Sequence, residues 1–246
     1  MKRLLRGIYR VLTFLLYYCI AAPILWALDT LVFGLRVRGK EQVRALKEQG
    51  AVVVCNHVHT LDCTFLGLLL FPRRMTFTSL ERLFRVPVIA QLIHWLGSVP
   101  VPEKSSGLRE FLRRMTERLH IGQLVCIYPE GELIPYCRKL REFEDGAFSI
   151  AVRAEAPVLP VVVTQRERRG LYRLLKRKPC LTITALEPVY PPREGPVKRR
   201  AMQLRKEVET RMQQAMPPDR RDVVLSEDWE YLSFDGQTSE AVLNGK

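Results

Sequence analysis

The chain has 246 residues, 47% of them hydrophobic and 26% charged, which suits one sizeable core and disfavours two equal domains. Its formal charge of +13 implies an anionic partner: membrane lipid, nucleic acid or a phosphorylated substrate. Its 6 cysteines, Cys19, Cys55, Cys63, Cys126, Cys137 and Cys180, lie mostly in apolar sequence. They are too sparse for a small disulfide-stapled secreted fold and read as buried thiols of a reducing compartment.

Lys2, Arg3, Arg6 and Arg10 precede an uncharged stretch over residues 11–28. A secretory signal is disfavoured, because the apolar run is long and no cleavage region follows it. The length would allow one bilayer span, but Pro23 within the stretch and Asp29 beyond it fit that reading less well. They favour two short helices, broken near Pro23 and embedded in one leaflet, with the arginines at the anionic cytoplasmic surface. A single transmembrane anchor is the alternative. Both readings make residues 1–35 a membrane-associated helical segment, and the favoured one puts the chain on the cytoplasmic face of the cell membrane.

A short strand is expected over 37–39 and a polar helix over 40–49, closed by Gly50. Ala51-Val52-Val53-Val54-Cys55 reads as a buried strand. The chain turns polar at Asn56-His57 and resumes as an apolar helix to Leu70, with Thr60 as N-cap and Asp62 in the first turn. Further on, 75–79 reads as a strand, and 80–83 and 86–96 as helices with Pro87 near a helix start. Residues 97–102 form a break and a short extended piece. An amphipathic basic helix follows over 107–119, and a strand over 123–128 runs into Pro129-Glu130-Gly131. A helix over 147–154, strands over 158–164 and 181–186, and a charged helix over 197–216 complete the core. The alternation predicts an α/β fold, with one domain over 36–216 and a polar tail over 217–246 to which no activity is assigned. The densest basic cluster, 166–178, suits docking on lipid headgroups or attracting a nucleotide-bearing donor; a solvated surface connection is the plainer reading.

His57 and Asp62 are the candidates for chemistry. On one helix, residues five apart diverge, but a loop histidine and an aspartate in the following first turn can meet. The carboxylate would then fix the imidazole tautomer and leave the second ring nitrogen to deprotonate an attacking hydroxyl. No Gly-x-Ser-x-Gly elbow occurs in the chain, so the nucleophile can belong to the substrate. The plainer reading is a satisfied loop histidine beside a capping aspartate. Cys55, His57, His59, Asp62 and Cys63 are competent metal ligands, yet their spacing fits no familiar zinc pattern, and no metal is expected. His59 reads as a second polar loop residue, and His94 and His120 as structural. Nucleic acid is disfavoured by the apolar N-terminus and the lack of a nucleic-acid motif.

The block from Asn56-His57 to Asp62 resembles the Asn-His-x-x-x-x-Asp motif of glycerolipid acyltransferases, the 1-acylglycerol-3-phosphate acyltransferase family. Later blocks resemble that family in the right order. They are Glu81-Arg82-Leu83-Phe84-Arg85-Val86-Pro87, Gly97-Ser98-Val99-Pro100-Val101, Tyr128-Pro129-Glu130-Gly131, Phe143-Glu144-Asp145-Gly146-Ala147 and Ala156-Pro157-Val158-Leu159-Pro160-Val161.

The resemblance implies a mixed β-sheet flanked by helices, with membrane-associated helices at the N-terminus. It implies acyl transfer from acyl-CoA or acyl carrier protein, as co-substrate without further cofactor, to a lysolipid hydroxyl. His57 would be the base, Asp62 its orienting group, and Pro129, Glu130 and Gly131 would shape the acceptor site. The family's Thr-Arg after Glu-Gly is here Glu132-Leu133, and its Asp-Arg after the Gly-x-x-Phe block is here Pro102-Glu103-Lys104. Two phosphate-binding arginines are thus missing from their places. Lys104 could stand in as a point charge, and Arg138 or Arg141 could reach the site. The expected acceptor is 1-acylglycerol-3-phosphate, with another lysophospholipid or an aminolipid precursor as the alternative. A non-catalytic basic membrane-binding protein is the rival from a different class.

Overall fold

Strands Arg36–Arg38 (β1), Ala51–Cys55 (β2), Met75–Leu80 (β3), Val99–Val101 (β4), Leu124–Ile127 (β5), Val158–Arg166 (β6) and Cys180–Ala185 (β7) form a seven-stranded sheet in the computed structural model. The structure describes residues 22–73, 75–81, 84, 90, 98–102 and 105–217. The sheet order is β1-β7-β6-β2-β5-β3-β4. It is mixed: β6 and β7 pair antiparallel, while the other pairs are parallel.

The side-chain alternation of a strand divides the core between the two faces of the sheet. Val52 and Val54 point to one face, where helices Ser105–His120 (α4), Gly146–Arg153 (α5) and Val197–Ala215 (α7) bury Met115, Phe148, Ile150, Leu204 and Val208. Val53 and Cys55 point to the other, under helices Lys40–Ala45 (α2) and Asp62–Leu70 (α3), with Phe65, Leu66 and Leu69. Among the described residues, two further helices lie outside this sandwich: Ala22–Ala27 (α1), continuing as a π-helical turn Leu28–Val32, and Leu171–Leu175 (α6).

Parallel pairing sends β2, β3, β4, β5 and β6 towards one edge. The antiparallel β7 starts at that same edge, with Cys180 opposite Arg166, and β1 starts beside it, with Arg36 opposite Thr182. The His57 loop, the Glu130 turn, the basic 167–179 connection and the chain entering from the N-terminal segment therefore meet at one edge. In open α/β sheets this carboxyl edge is where ligands bind.

Several expectations are corrected. Leu80 ends β3 rather than opening a helix. The helix at 40–49 stops at Ala45, because Lys47 takes φ +48 in the left-handed region and turns the chain. Gly50 does not cap that helix. An added Cβ there would lie 2.1 Å from the Leu119 carbonyl oxygen, so glycine permits the approach of β2 to the end of α4. The N-cap of α3 is Leu61, not Thr60. The expected break near Pro23 borders residues 1–21, which lie outside the described residues; within them, Pro23 belongs to α1 and a change of helical period falls at Leu28. Among the described residues no helix is long and apolar enough to cross a membrane. The expected features over 1–21, the helix over 86–96 except Ala90, Lys104, and the tail from 218 onward lie outside the described residues.

Candidate active site

Asp62 opens α3 and has no exposed side-chain surface. Its Oδ2 accepts three hydrogen bonds, from the Val58 amide (2.8 Å), the His59 amide (2.9 Å) and the His57 imidazole at Nδ1 (2.9 Å). The loop is therefore wound around one carboxylate oxygen, while the first-turn amides of Asp62 and Thr64 donate to the His59 (3.0 Å) and Leu61 (2.9 Å) carbonyls in place of a side-chain N-cap. Because the carboxylate accepts at Nδ1, that nitrogen carries the proton and Nε2 presents its lone pair. The His57 side chain keeps 23% exposure, so the ring is held but reachable.

Two other contacts fix the ring. It stacks on Tyr128, with centroids 4.1 Å apart and planes inclined by 16°. The backbone N–H of His57 donates to Glu130 Oε2 (3.1 Å). The strand register accounts for both: Val54 pairs with Ile127, so the residues just beyond β2 and β5 emerge side by side. Glu130 belongs to a turn closed by the Gly131 N–H donating to the Tyr128 carbonyl (3.2 Å). Gly131 takes φ +75 there. No atom lies within 4 Å of an added Cβ, so glycine serves backbone conformation rather than clearance. The Pro129 carbonyl accepts from Glu144 N (2.8 Å), tying the turn to the start of α5.

The Glu130 carboxylate is only 1% exposed and would be costly to bury unpaired. Arg141 meets it twice, through its backbone N–H at Oε1 (3.2 Å) and its guanidinium at Oε2 (2.8 Å). Arg141 also donates to the Glu132 carbonyl. Asn56 has a structural role. Its amide donates to the Val163 carbonyl (2.9 Å) and its oxygen accepts from the Val163 N–H (2.7 Å), extending the β2–β6 pairing past the end of β2.

His59 faces the N-terminal segment. Its Nδ1 accepts from the Leu61 N–H (3.1 Å), and its ring meets Phe33 edge-on at 4.8 Å. Burial holds its pKa below the ordinary histidine value, so the ring is neutral at neutral pH. Cys55 and Cys126 are fully buried, and burial pushes their thiols upward; Cys63 is raised to about 11. None of these three is a thiolate at neutral pH, which argues against a cysteine nucleophile. Among the described residues, no group of three or more His, Cys, Asp or Glu side chains is arranged to hold a metal ion.

The structure thus brings together His57, Asp62, Pro129, Glu130 and Gly131. Lys104 lies outside the described residues, and Arg138 is engaged at Gln165 (3.3 Å). Sequence reasoning missed the Tyr128 stack and the use of Arg141 as the partner of Glu130. The first was legible in principle, since two adjacent parallel strands deliver their following residues to the same place.

The profile of the Acyltransferase family matches residues 34–164, from just before β1 almost to the end of β6. The chain belongs to the acyltransferase family. It is 34% identical over 139 residues to human 1-acyl-sn-glycerol-3-phosphate acyltransferase beta, covering 53% of this chain and 47% of that one. The corresponding enzyme of Bacillus subtilis is 27% identical over 131 residues, covering 52% and 61%. The lyso-ornithine lipid O-acyltransferase of Pseudomonas aeruginosa is 29% identical over 136 residues, covering 55% and 49%. The matched region thus spans about half the length of these relatives. Among solved structures, the 1-acyl-sn-glycerophosphate acyltransferase PlsC of Thermotoga maritima superposes with a TM-score of 0.53 at 25% identity, covering 74% of this chain and 70% of that one. The mixed sheet flanked by helices is therefore the fold of this acyltransferase.

Proposed function

We propose that the protein is a membrane-associated O-acyltransferase, acting at the cytoplasmic face of the cell membrane, that moves a fatty acyl group from acyl-CoA or acyl carrier protein to the free hydroxyl of 1-acylglycerol-3-phosphate. The observation that carries the reading is the 2.9 Å bond from His57 Nδ1 to Asp62 Oδ2, placed at the carboxyl edge of the sheet with His57 part-exposed. Residues 36–216 would form the catalytic domain, and residues 1–35 the membrane-associated segment.

His57 Nε2 takes the proton of the lysolipid hydroxyl as the oxygen attacks the thioester carbonyl carbon. The buried Asp62 carboxylate stabilises the imidazolium that forms and keeps the ring oriented. The tetrahedral intermediate collapses with cleavage of the carbon–sulfur bond, and the leaving thiolate takes the proton back from His57. The products are an ester and a free thiol. Pro129, Glu130 and Gly131 shape the acceptor side, with Glu130 anchoring the backbone of the base. Lys104 would supply a cation for the acceptor phosphate, alongside membrane lipid as the medium that delivers it.

A second reading concerns the acceptor. Glu132 stands where the family carries threonine and its side chain is 84% exposed; Arg141 is held by Glu130 at 2.8 Å and reaches the Glu132 carboxylate only at 3.9 Å. An exposed carboxylate just beyond the turn favours a headgroup bearing an amine, such as a lyso-ornithine lipid, over a phosphate monoester. The test is release of free thiol from acyl-CoA by purified protein, with lysophosphatidate, other lysophospholipids or lyso-ornithine lipid in parallel. Thiol release dependent on lysophosphatidate supports the first reading, and dependence on the aminolipid supports the second. Release with none of the acceptors, using either acyl-CoA or acyl carrier protein as donor, would leave a non-catalytic membrane-binding protein.

A further inference from the structure

Helix α6 has no core to join. None of its residues is buried, and Leu171, Leu174 and Leu175 stand 67%, 84% and 70% exposed. A single exposed leucine needs no explanation, but three on a five-residue helix form an apolar tip that a partner would cover. Arg168, Arg169, Arg173, Lys176, Arg177 and Lys178 surround that tip in the sequence, against the one acid Glu167.

The helix is fastened to the N-terminal segment. Tyr172 Oη donates to the Thr30 carbonyl (2.6 Å), and the Lys176 ammonium lies 5.5 Å from the centre of the Phe33 ring. At Gly34 an added Cβ would come within 2.8 Å of Cys180 Sγ and 3.2 Å of the Tyr172 ring, so the two segments close tightly there. On the N-terminal side of this seam, Ile24, Trp26, Leu31 and Val32 are more than half exposed. The same segment reaches the candidate site, because Phe33 packs against His59.

Apolar side chains ringed by cations suit a partner that is anionic at its surface and apolar beneath, which describes an anionic bilayer. We infer that α6 is a second membrane contact. Leu171, Leu174 and Leu175 enter the acyl-chain boundary, and the exposed Arg169, Arg173 and Arg177 engage lipid headgroups. The inference deepens the membrane-associated reading above and rests on it. Residues 22–32 and α6 then form a bipartite footing that keeps the sheet edge with His57 at the lipid surface, so a lysolipid reaches the base without leaving the interface.

The test is Leu174→Trp, with Leu171→Trp as a second probe, each in the full-length protein reconstituted into vesicles. The emission of the unsubstituted protein, which carries its own 3 tryptophans, is subtracted. In vesicles containing phosphatidylglycerol, the added emission should shift to the blue and be quenched by lipids brominated along the acyl chain. Emission typical of water, quenched by aqueous iodide and not by brominated lipid at either position, overturns the inference. A response to free coenzyme A without vesicles would assign the cluster to the donor and overturn it too. Acyl transfer measured on the same samples keeps the two readings apart. Transfer without lipid quenching removes the second contact alone, and quenching without transfer upholds the contact while removing the catalytic reading.

Discussion

The side chain of Glu130 holds the backbone of His57: Oε2 lies 3.1 Å from the His57 nitrogen, and the Arg141 guanidinium neutralises the same carboxylate, 2.8 Å from that same oxygen. The turn proposed to shape the acceptor side and the proposed base are therefore tied together by one carboxylate. A family motif that reads as Pro-Glu-Gly is, in this chain, a brace between the ends of β2 and β5.

The brace has a measurable consequence. Arg141→Ala would leave a buried carboxylate with two amide donors and no cation, and should destabilise the fold by about 3 kcal/mol. Adding Glu130→Gln to Arg141→Ala removes the stranded charge and should recover part of that loss. Denaturant midpoints of the two single variants and the double variant give the coupling directly. Strict additivity would mean that the pair does not hold the turn.

A pH effect follows from Asp29. This carboxylate is buried against α3, and Thr64 Oγ1 donates to it (2.9 Å). Burial raises its pKa from 3.8 to about 6, against the opposing pull of the Thr64 hydrogen bond. Between these values the folded state keeps a proton that the unfolded state has lost, so stability falls as pH rises from about 4 to about 6. Asp29→Asn should remove this part of the slope and gain about 1–2 kcal/mol at pH 7, allowing for solvent screening. The check is the difference in Tm between the two proteins across pH 4 to 7.5. A difference that does not change with pH would show that Asp29 does not titrate in this range.

Much of the fold was legible because the strands are unusually plain. Ala51–Cys55 and Val158–Arg166 begin as apolar, β-branched runs, and such runs are what buried parallel strands require. The basic helix was equally clear from Phe111, Met115 and Leu119, which recur at helical spacing. The pairing of His57 with Asp62 at 2.9 Å was readable as one of two options, since a polar loop leading into a helix lets the two groups meet without requiring it. The dependence on distant partners was not readable. Arg141 comes after an irregular loop, and only the fold brings it to Glu130. Thr60 looked like the better cap, but the first-turn amides of Asp62 and Thr64 donate to the His59 and Leu61 carbonyls, so no hydroxyl is needed there.

Truncation separates the N-terminal stretch from the part of the segment that supports the site. Removing residues 1–21 takes away Lys2, Arg3, Arg6 and Arg10, each expected to add about 1 kcal/mol at an anionic surface. This deletion should weaken membrane attachment while leaving Asp29 and Phe33 in place. Removing residues 1–34 also strips Asp29 from Thr64 and Phe33 from His59 and Phe65, so it should lower thermal stability as well. Fractionation and Tm of both truncations test this. Equal Tm values would mean that the contacts at Asp29 and Phe33 do not support α3.

The catalytic assignment makes the sharpest demand. A general base that takes a proton in the transition state contributes about 10²–10⁴-fold in rate. His57→Ala should therefore lower turnover by that factor, with little change in Tm, since the ring is part-exposed and its removal leaves Asp62 still bonded to two amides. Asp62→Asn keeps an oxygen for those amides but loses the charge that stabilises the imidazolium, so it too should lose most activity while still folding. His59→Ala should behave in the opposite way. It removes packing against Phe33 and the acceptor for Leu61 N–H, costing about 1–2 kcal/mol of stability while turnover survives. Turnover and Tm measured on all three variants separate proton transfer from packing. Equal losses of turnover at His57 and His59, restored by added zinc, would replace the base with a metal site. Near-normal turnover in His57→Ala would remove the proposed mechanism.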